Sequence, residues 1–364
     1  MLAPLMQHRL PLAVRSHALL SAPRNTAFSS QPSVHVMEAA KIALHQVPLV
    51  DISPLVHQRG QSGHAPATTQ QKAKILEDMK RACLDTGFFT VPTKNVLSND
   101  LIAKVGTKCC PLQIMEWVYT RADEFIALPD AYQPDVVSHL EGFDLARELP
   151  ESFIQPGSSL GPNVWPRELP HFREDVYQLY EETTVVSQVL FQSFAEMLGL
   201  PANTFLQHVS EKAEAFMRLL TYPEVEAKVK NSTVGIASHT DFECFTIIHQ
   251  NGAGLHLKNR NGNWVEAPVH EDRLFIMVGD VLEHWTNGLL QATEHRVVNS
   301  EKKRQSIVRF NGADGDTIVE PLAPFVTATH PAKYGRTTQR EHIAEQIRIA
   351  EEQLQETKAS KALM

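Results

Sequence analysis

Three side chains in this sequence have the types and the spacing of a metal site. His239 and Asp241 stand two positions apart, and residues two apart on a β-strand project to the same side of it. A second imidazole from a distant strand would complete a set of two histidines and one carboxylate, which holds iron(II) on one face and leaves the opposite positions open. We predict that His295 supplies it. The pattern therefore indicates a metal centre with room for further ligands.

A possible carboxylate-binding pair follows His295. Arg304 and Ser306 again stand two positions apart, so on a strand they share one face. The planar guanidinium of an arginine matches a carboxylate, and a buried arginine is expected to have such a partner. The alternative is that Arg304 belongs to a plain basic turn with the two lysines before it. An open metal face beside a carboxylate clamp predicts an oxygenase that uses an organic acid.

The chain has 17 histidines, so spacing alone does not select His295 over His270 or His284. Its position between the Asn287-Gly288 turn and Arg304 favours it. From Ala215 on, period-two alternation and turn signals indicate many strands, and all the proposed ligands fall in this part of the sequence.

Both helices and strands are predicted around these residues. Hydrophobic periodicity and the positions of proline and glycine give the bounds of each segment. A break at Cys109-Cys110-Pro111 interrupts one helical segment, because proline disrupts a helix interior. The last helix begins at Thr338, which forms a capping-box pattern with Glu341. The predicted segments are a strand at 47–52, a helix at 71–84, a strand at 87–91, helical structure at 99–128, irregular structure at 134–170, helices at 171–199 and 203–213, and many strands after 215.

We predict a mixed α/β (α+β) fold with a double-stranded β-helix, or jelly-roll, core flanked by N-terminal helices and a C-terminal helix. The expected division is a leader or disordered extension at 1–40, an N-terminal region at 46–170, the jelly-roll core at 171–335 and a closing helix at 336–364. The core carries all the proposed metal and carboxylate ligands.

Bulk composition excludes several classes of function. The net charge of −8 argues against a nucleic-acid partner, which favours a basic surface. No apolar run has the length of a membrane span. Four cysteines in 364 residues do not form a disulfide framework. We therefore expect an intracellular protein with a small-molecule substrate, and the sequence leaves its oligomeric state open.

The N-terminal segment leaves two interpretations open. Residues 1–37 contain no Asp or Glu and carry several arginines and serines, a composition typical of a mitochondrial transit peptide. A disordered extension, or a true start at Met37, is the alternative. A cytoplasmic and a mitochondrial location are both compatible with this segment.

These motifs carry a resemblance to a known family. They are His239-Thr240-Asp241, Gly254-Leu255, Trp264, Gly279-Asp280, Trp285-Thr286-Asn287-Gly288, His295-Arg296-Val297 and Arg304-Gln305-Ser306, with Asp51-Ile52 and Thr86-Gly87-Phe88-Phe89 before them. In this combination, from about 46 to 335, the chain resembles the non-haem iron(II) and 2-oxoglutarate-dependent dioxygenases of the isopenicillin N synthase-like group.

The resemblance implies a role for each matching residue. His239, Asp241 and His295 would bind Fe(II), Arg304 and Ser306 would hold the distal carboxylate of 2-oxoglutarate, and Tyr222 would contact the same cosubstrate. It implies oxidation of a small organic molecule by O2, by hydroxylation or desaturation, with release of succinate and CO2, and no catalytic side chain beyond the metal ligands.

The chain departs from the family pattern at two places. Leu220 stands where an asparagine is usual, two positions before the tyrosine. Residues 106–117 look inserted, and we hypothesise a retained intron or an annotation error, which transcript sequencing would test. Two further functional interpretations stay open: an isopenicillin N synthase-like oxidase that does not use 2-oxoglutarate, and a jelly-roll binder of a small acid without turnover.

Overall fold

The computed structural model describes residues 40–41, 47–56, 67–97, 111–127, 141–150, 160–224 and 234–362. The helices are α1 (Thr69–Asp85), α2 (Pro111–Ile126), α3 (Phe172–Met197), α4 (Asn203–Leu206), α5 (Asp280–Trp285) and α6 (Gln339–Ala362). The strands are β1 (Ala40–Lys41), β2 (Phe88–Pro92), β3 (Glu141–Ala146), β4 (Ala213–Tyr222), β5 (Val234–His239), β6 (Phe245–Gln250), β7 (Leu255–Lys258), β8 (Trp264–Glu266), β9 (Arg273–Val278), β10 (His295–Val298), β11 (Arg304–Asp314), β12 (Ile318–Val319) and β13 (Thr337–Thr338).

Two β-sheets form the core. The smaller sheet has the strand order β1-β8-β7-β10-β5, and the larger has the order β2-β9-β6-β11-β4-β3. One hydrophobic cluster joins them, because Leu255 and Leu257 of the smaller sheet pack with Ile248 and Val308 of the larger. The two sheets therefore face each other in the predicted jelly-roll arrangement.

The other face of the larger sheet is covered by helices. Its side chains, such as Leu219 and Ile307, lie in the main hydrophobic core with Phe191 and Phe194 of α3. Neighbouring residues of a strand point to opposite faces, so Ile307 turns toward the helices while Val308 turns toward the smaller sheet. The combination of two packed sheets with covering helices confirms the mixed α/β class. The alternation along β11 places Arg304 and Ser306 on the face opposite to the helices.

Several predicted elements are confirmed with small shifts at their ends. The helix predicted at 71–84 is α1, that at 171–199 is α3, and the strand at 87–91 is β2. The capping box of α6 is present, since Thr338 N donates to Glu341 Oε2 at 2.9 Å and Glu341 N donates to Thr338 Oγ1 at 3.2 Å.

The Cys-Cys-Pro break coincides with the start of a helix. Pro111 is the first residue of α2, the position where the missing N–H of proline is tolerated. Ile114 and Met115, which fall in the segment predicted to be inserted, are buried in the main core. Residues 106–110 lie outside the described residues, and the retained-intron hypothesis stays a prediction.

Three predicted elements are wrong: the strand at 47–52, the irregular segment at 134–170 and the helix at 203–213. The segment 47–52 makes a single-residue bridge, Leu49 to Thr90, and continues into a short 3-10 turn at Ser53–Leu55 instead of forming a full strand. The segment 134–170, predicted to be irregular, contains β3. Gly and Asp, both unfavourable in strands, hide this strand in the sequence, and its pairing with β4 stabilises it.

The helix predicted at 203–213 ends at Leu206. The chain turns there because Asp314 N donates to His208 O and Ser210 N donates to Asp314 Oδ1, both at 2.8 Å. These contacts direct residue 213 into β4 rather than into a further helical turn.

The predicted N-terminal region and core share one sheet. β2 and β3, from the region 46–170, form the two edges of the six-stranded sheet, so the proposed boundary at 171 lies between parts of one core. Residues 1–39 lie outside the described residues. Within the described segments, no helix combines the length and the apolar content that crossing a membrane requires.

Candidate metal centre

The structure brings His239, Asp241 and His295 together. One potential ligand atom from each lies within 4.8 Å of the others. Nε2 of His239 is 3.7 Å from Asp241 Oδ1, and Nε2 of His295 is 3.6 Å from the same oxygen. His239 ends β5 and His295 begins β10, so strand pairing sets the distance between the two imidazoles.

The opposite nitrogen of each imidazole is held by the backbone. His239 Nδ1 lies 2.8 Å from Ala237 O, and His295 Nδ1 lies 3.0 Å from Thr293 O. A carbonyl oxygen only accepts, so both Nδ1 atoms carry the proton and donate. The Nε2 lone pairs are thereby left free, which is the usual arrangement of metal-binding histidines.

The carboxylate is held by a side-chain hydroxyl. Thr246 Oγ1 donates a hydrogen bond to Asp241 Oδ2, which leaves Oδ1 toward the two imidazoles. Thr246 belongs to β6 and is fully buried. Such outer contacts orient ligands and tune their affinity for the metal, and Thr246 was not identified from the sequence.

Gly279 allows the turn after Asp241 to pack closely. A Cβ at this position would lie 2.3 Å from Glu243 O and 3.2 Å from Asp241 O. Asp280 N donates to Asp241 O at 2.9 Å, and Asp280 Oδ2 is 3.1 Å from His342 Nε2 of α6. The Gly279-Asp280 motif therefore supports the metal-binding turn without contributing a ligand.

Burial tunes the protonation of the triad. Burial lowers the pKa of His239 well below its usual range, and the charge of His295 lowers it further. Burial raises the pKa of the Asp241 carboxyl. A neutral imidazole is the form that binds a metal, and a bound cation would favour the ionised carboxylate. The donor set therefore fits a divalent metal ion such as iron(II).

The predicted clamp arginine is buried with an unused donor. Arg304 is 2 % exposed. Its Nη2 donates to Gln250 Oε1 at 3.0 Å and its Nε donates to Gly252 O at 3.2 Å. Nη1 has no hydrogen-bond partner among the residues that the structure describes. A buried guanidinium with an unused donor, and with no carboxylate partner within the described segments, fits an anionic ligand.

Tyr222 and Ser306 lie beside this arginine. Tyr222 is the cross-strand partner of Arg304, and the guanidinium carbon lies 4.6 Å from the centre of its ring. Ser306 is 2 % exposed and pairs with Leu220 across β4 and β11. An apolar side chain therefore occupies the position where the family usually has an asparagine.

An ion pair that sequence reasoning missed lies on the same face. Arg218 of β4 faces Val308 of β11 and Asp144 of β3 in the strand registers. Arg218 Nε and Nη2 donate to the two carboxylate oxygens of Asp144, each at 2.8 Å. The positive charge of Arg218 adds to the lowering of the His239 pKa and opposes the rise that burial causes in the pKa of Asp241, so Arg218 lies within electrostatic range of the metal centre.

Comparison with known proteins identifies this arrangement. A family model described as the 2OG-Fe(II) oxygenase superfamily matches residues 213–313. The chain is 26% identical over 328 residues to homoarginine-6-hydroxylase 2-ODD-C23 of Glycine max, covering 83% of this chain and 96% of that protein. It is 29% identical over 276 residues to 2-oxoglutarate-dependent dioxygenase traH of Penicillium crustosum, covering 70% and 83%.

Solved structures share the fold. A full-length Neurospora crassa protein, crystallised in complex with alpha-KG and 5-formyluracil, superposes with a TM-score of 0.68 at 21% identity, covering 85% of this chain and 99% of that one. A putative 2OG-Fe(II) oxygenase family protein from Caulobacter crescentus gives a TM-score of 0.61 at 23% identity, covering 77% and 95%. The family model, the relatives above and the triad show that this chain is a 2-oxoglutarate and iron(II)-dependent dioxygenase that oxidises a small molecule.

Proposed function

We propose that His239, Asp241 and His295 hold iron(II), and that Arg304, with Ser306 and Tyr222, holds the distal carboxylate of 2-oxoglutarate. The observation that carries the cosubstrate assignment is the buried Nη1 of Arg304, which has no hydrogen-bond partner among the described residues. A carboxylate bound there would satisfy this donor and neutralise the charge.

The side chains act by binding, orienting and excluding water. When bound, iron(II) and 2-oxoglutarate supply the oxidising chemistry with O2, and substrate oxidation is accompanied by release of succinate and CO2. The backbone carbonyls of Ala237 and Thr293 hold the two imidazoles in the binding tautomer. Gln250 holds the guanidinium of Arg304 in place. The apolar cluster between the sheets includes Tyr222 and Leu220, and excluding water there would strengthen electrostatic interactions in the site.

The substrate is proposed to be a small polar molecule that carries a carboxylate. Arg218 uses Nε and Nη2 on Asp144, so the two N–H groups of Nη1 can donate to an acceptor. Phe310 lies on the same face, with its ring centre 5.9 Å from the Arg218 guanidinium carbon. The Glycine max relative is named for homoarginine, an amino acid, and this name favours the same substrate class here.

The test is succinate formation by the purified protein with iron(II), 2-oxoglutarate and candidate substrates. Homoarginine and other amino acids form one set, and thymine, a neutral base, forms the contrast set. We expect an acid-bearing compound to stimulate succinate formation, and Arg218→Met to raise its KM while 2-oxoglutarate KM stays unchanged. A neutral compound that is turned over equally well by wild type and Arg218→Met would contradict the substrate assignment.

Oxygen consumption separates the two oxidase mechanisms. If 2-oxoglutarate is the cosubstrate, oxygen uptake with substrate depends on added 2-oxoglutarate and matches succinate in amount. Uptake that is independent of 2-oxoglutarate would support the isopenicillin N synthase-like alternative, with Arg304 on a substrate carboxylate.

The setting we propose is the interior of the cell, for an enzyme that binds neither nucleic acid nor membranes. Cys83 and Cys244 are buried free thiols, as expected where thiols stay reduced. Fractionation of cells that express the full chain would distinguish a cytoplasmic from a mitochondrial location.

A further inference from the structure

A second polar cavity lies on the helix-covered side of the larger sheet. It has a volume of about 290 Å3 and lies between α3 and the ends of β4 and β11. Its polar lining includes Arg147, Ser187, Glu211, Arg309 and Asn311. Arg309 and Ile307 lie on the same face of β11, opposite to the face of Arg304 and Ser306. The cavity is therefore separated from the 2-oxoglutarate clamp by the sheet itself.

Arg309 carries a buried positive charge into this cavity. The residue is 3 % exposed. Its Nε donates to Asn311 Oδ1 at 3.0 Å, its Nη1 donates to Tyr180 O at 3.2 Å, and its guanidinium carbon lies 4.1 Å from the centre of the Tyr180 ring. A guanidinium has five N–H donors, and these two bonds leave three of them for another acceptor. Burial lowers the pKa of Arg309, as expected for a cation removed from water.

Arg147 adds a second guanidinium to the same cavity. Its charge contributes to lowering the pKa of Arg309, so the two cations are close enough to interact. Across the part of the chain that the structure describes, neither arginine forms an ion pair with a carboxylate. Glu211 also lines the cavity but is exposed.

Hydrogen bonds of Asn311 hold the side chain of Arg309 in place. Asn311 accepts from Arg309 and donates through Nδ2 to the carbonyl oxygens of Phe245 and Arg309, each at 3.1 Å. This fixes the amide and thereby the guanidinium. A purely structural role, in which Arg309 tethers α3 to the sheet through Tyr180, accounts for one hydrogen bond and the ring contact. It does not account for the remaining donors or for Arg147.

We propose that this cavity is a second anion site, which binds a small carboxylate or phosphate anion between Arg147 and Arg309. Two guanidiniums that form no ion pair with any described carboxylate match such an anion in charge and hydrogen-bond geometry. The cavity volume of about 290 Å3 lies just below the usual range for ligand pockets, so the ligand is a small metabolite or an inorganic ion. The site is distinct from the Arg304 clamp and does not depend on the function of that clamp.

The test is calorimetric titration of the full chain, loaded with iron(II) and saturated with 2-oxoglutarate without oxygen. Saturation with 2-oxoglutarate occupies the proposed clamp, so the added anion does not compete for it. Inorganic phosphate and citrate are the two probes, and they distinguish a phosphate ligand from a carboxylate ligand. We expect saturable binding of at least one of them, with one site per chain.

Variants locate the binding. Arg147→Gln removes one charge at a half-buried position, and we expect it to weaken binding by about tenfold, the loss of one charge-assisted hydrogen bond. Arg309→Lys keeps a charge but loses the planar fork, and should weaken binding by a similar factor. Arg81→Gln, on the exposed surface of α1, is the charge-matched control and should bind as the wild type does.

Two results would overturn the proposal: equal affinity in wild type and Arg147→Gln, or no saturable binding of either probe up to about 10 mM. If Arg309→Lys does not fold, Arg147→Gln alone decides. Succinate formation by Arg147→Gln, measured in parallel, separates loss of this site from failure of the proposed dioxygenase function.

Discussion

His239 and His295 are direct cross-strand partners. Their Cα atoms are paired in the antiparallel register of β5 and β10, and their ring centres lie 4.0 Å apart. The separation of the two imidazoles is thus set by backbone hydrogen bonding between strands rather than by a loop. A site on paired strands is held more precisely than one on loops, so small changes around the ligands should have measurable effects on metal affinity.

Removing the hydrogen bond behind the carboxylate should weaken metal binding. In Thr246→Val, Asp241 Oδ2 loses its donor, so we expect iron(II) affinity to fall by about 10- to 100-fold, as for other outer-shell contacts. Anaerobic equilibrium dialysis measures this. Ser238→Ala is the control, because its hydroxyl donates to Glu294 Oε1 and not to the triad. Equal affinity in Thr246→Val and Ser238→Ala would contradict the assignment.

Loss of the Arg304 guanidinium should weaken binding of 2-oxoglutarate. Arg304→Met removes a charged donor from a buried site, and we expect the KM for 2-oxoglutarate to rise by about a hundredfold, because hydrogen bonds to charged groups contribute about 1.5–3 kcal/mol each. Steady-state kinetics at saturating substrate measure it. Lys303→Met alters the neighbouring residue, which pairs with Asp123 at the surface, and should leave this KM unchanged. The same rise in both variants would contradict a specific role for Arg304.

The close approach at Gly279 predicts a loss of stability on adding a methyl group. In Gly279→Ala the Cβ would meet Glu243 O at 2.3 Å, and we expect the free energy of unfolding to fall by about 1–3 kcal/mol. Iron(II) affinity should fall too, because the turn after Asp241 must shift. Gly335→Ala is the matched control, since nothing lies within 4 Å of the place its new methyl group would take. Denaturant unfolding compares the two, and equal stabilities would rule out the packing argument.

Glu214 predicts a specific pH dependence of stability. Its carboxyl is 1 % exposed, and burial raises its pKa from 4.5 to about 7. Between these values the folded state binds more protons than the unfolded state, so this residue's contribution to stability is complete at acid pH and is lost as pH rises toward and through 7.

Thermal unfolding between about pH 5 and pH 8 measures this dependence. Glu214→Gln should show a flatter profile over that range, because the amide does not titrate. Glu211→Gln changes an exposed neighbour and should retain the wild-type slope. A wild-type slope in Glu214→Gln would show that another group is responsible.

Local patterns in the sequence were sufficient for the ligands and for the long helices. The i, i+2 spacing of His239 and Asp241 predicted that both point to one side, although β5 ends at His239 and Asp241 lies just beyond the strand. The end of α3 before Gly199 and the capping box of α6 are local features of the sequence. The metal triad could be proposed for the same reason, with His295 chosen by its position relative to the Asn287-Gly288 turn.

Features that depend on pairing between strands far apart in the chain could not be predicted from the sequence. β3 contains Gly142 and Asp144, and only its register with β4 makes it a strand. The same register joins Asp144 to Arg218, so neither residue could be recognised as part of the site from its neighbours in sequence. Thr246 was missed because a threonine on a buried strand is ordinary until the fold brings it to Asp241.

Anaerobic iron(II) binding by His295→Ala tests the assignment of the metal centre most directly. His256→Ala is the control, because His256 lies on the neighbouring strand β7, opposite Arg296, and outside the triad. We predict one iron(II) per chain for wild type and His256→Ala, and a loss of tight binding together with 2-oxoglutarate-dependent succinate formation in His295→Ala. Wild-type iron binding and turnover in His295→Ala would contradict it.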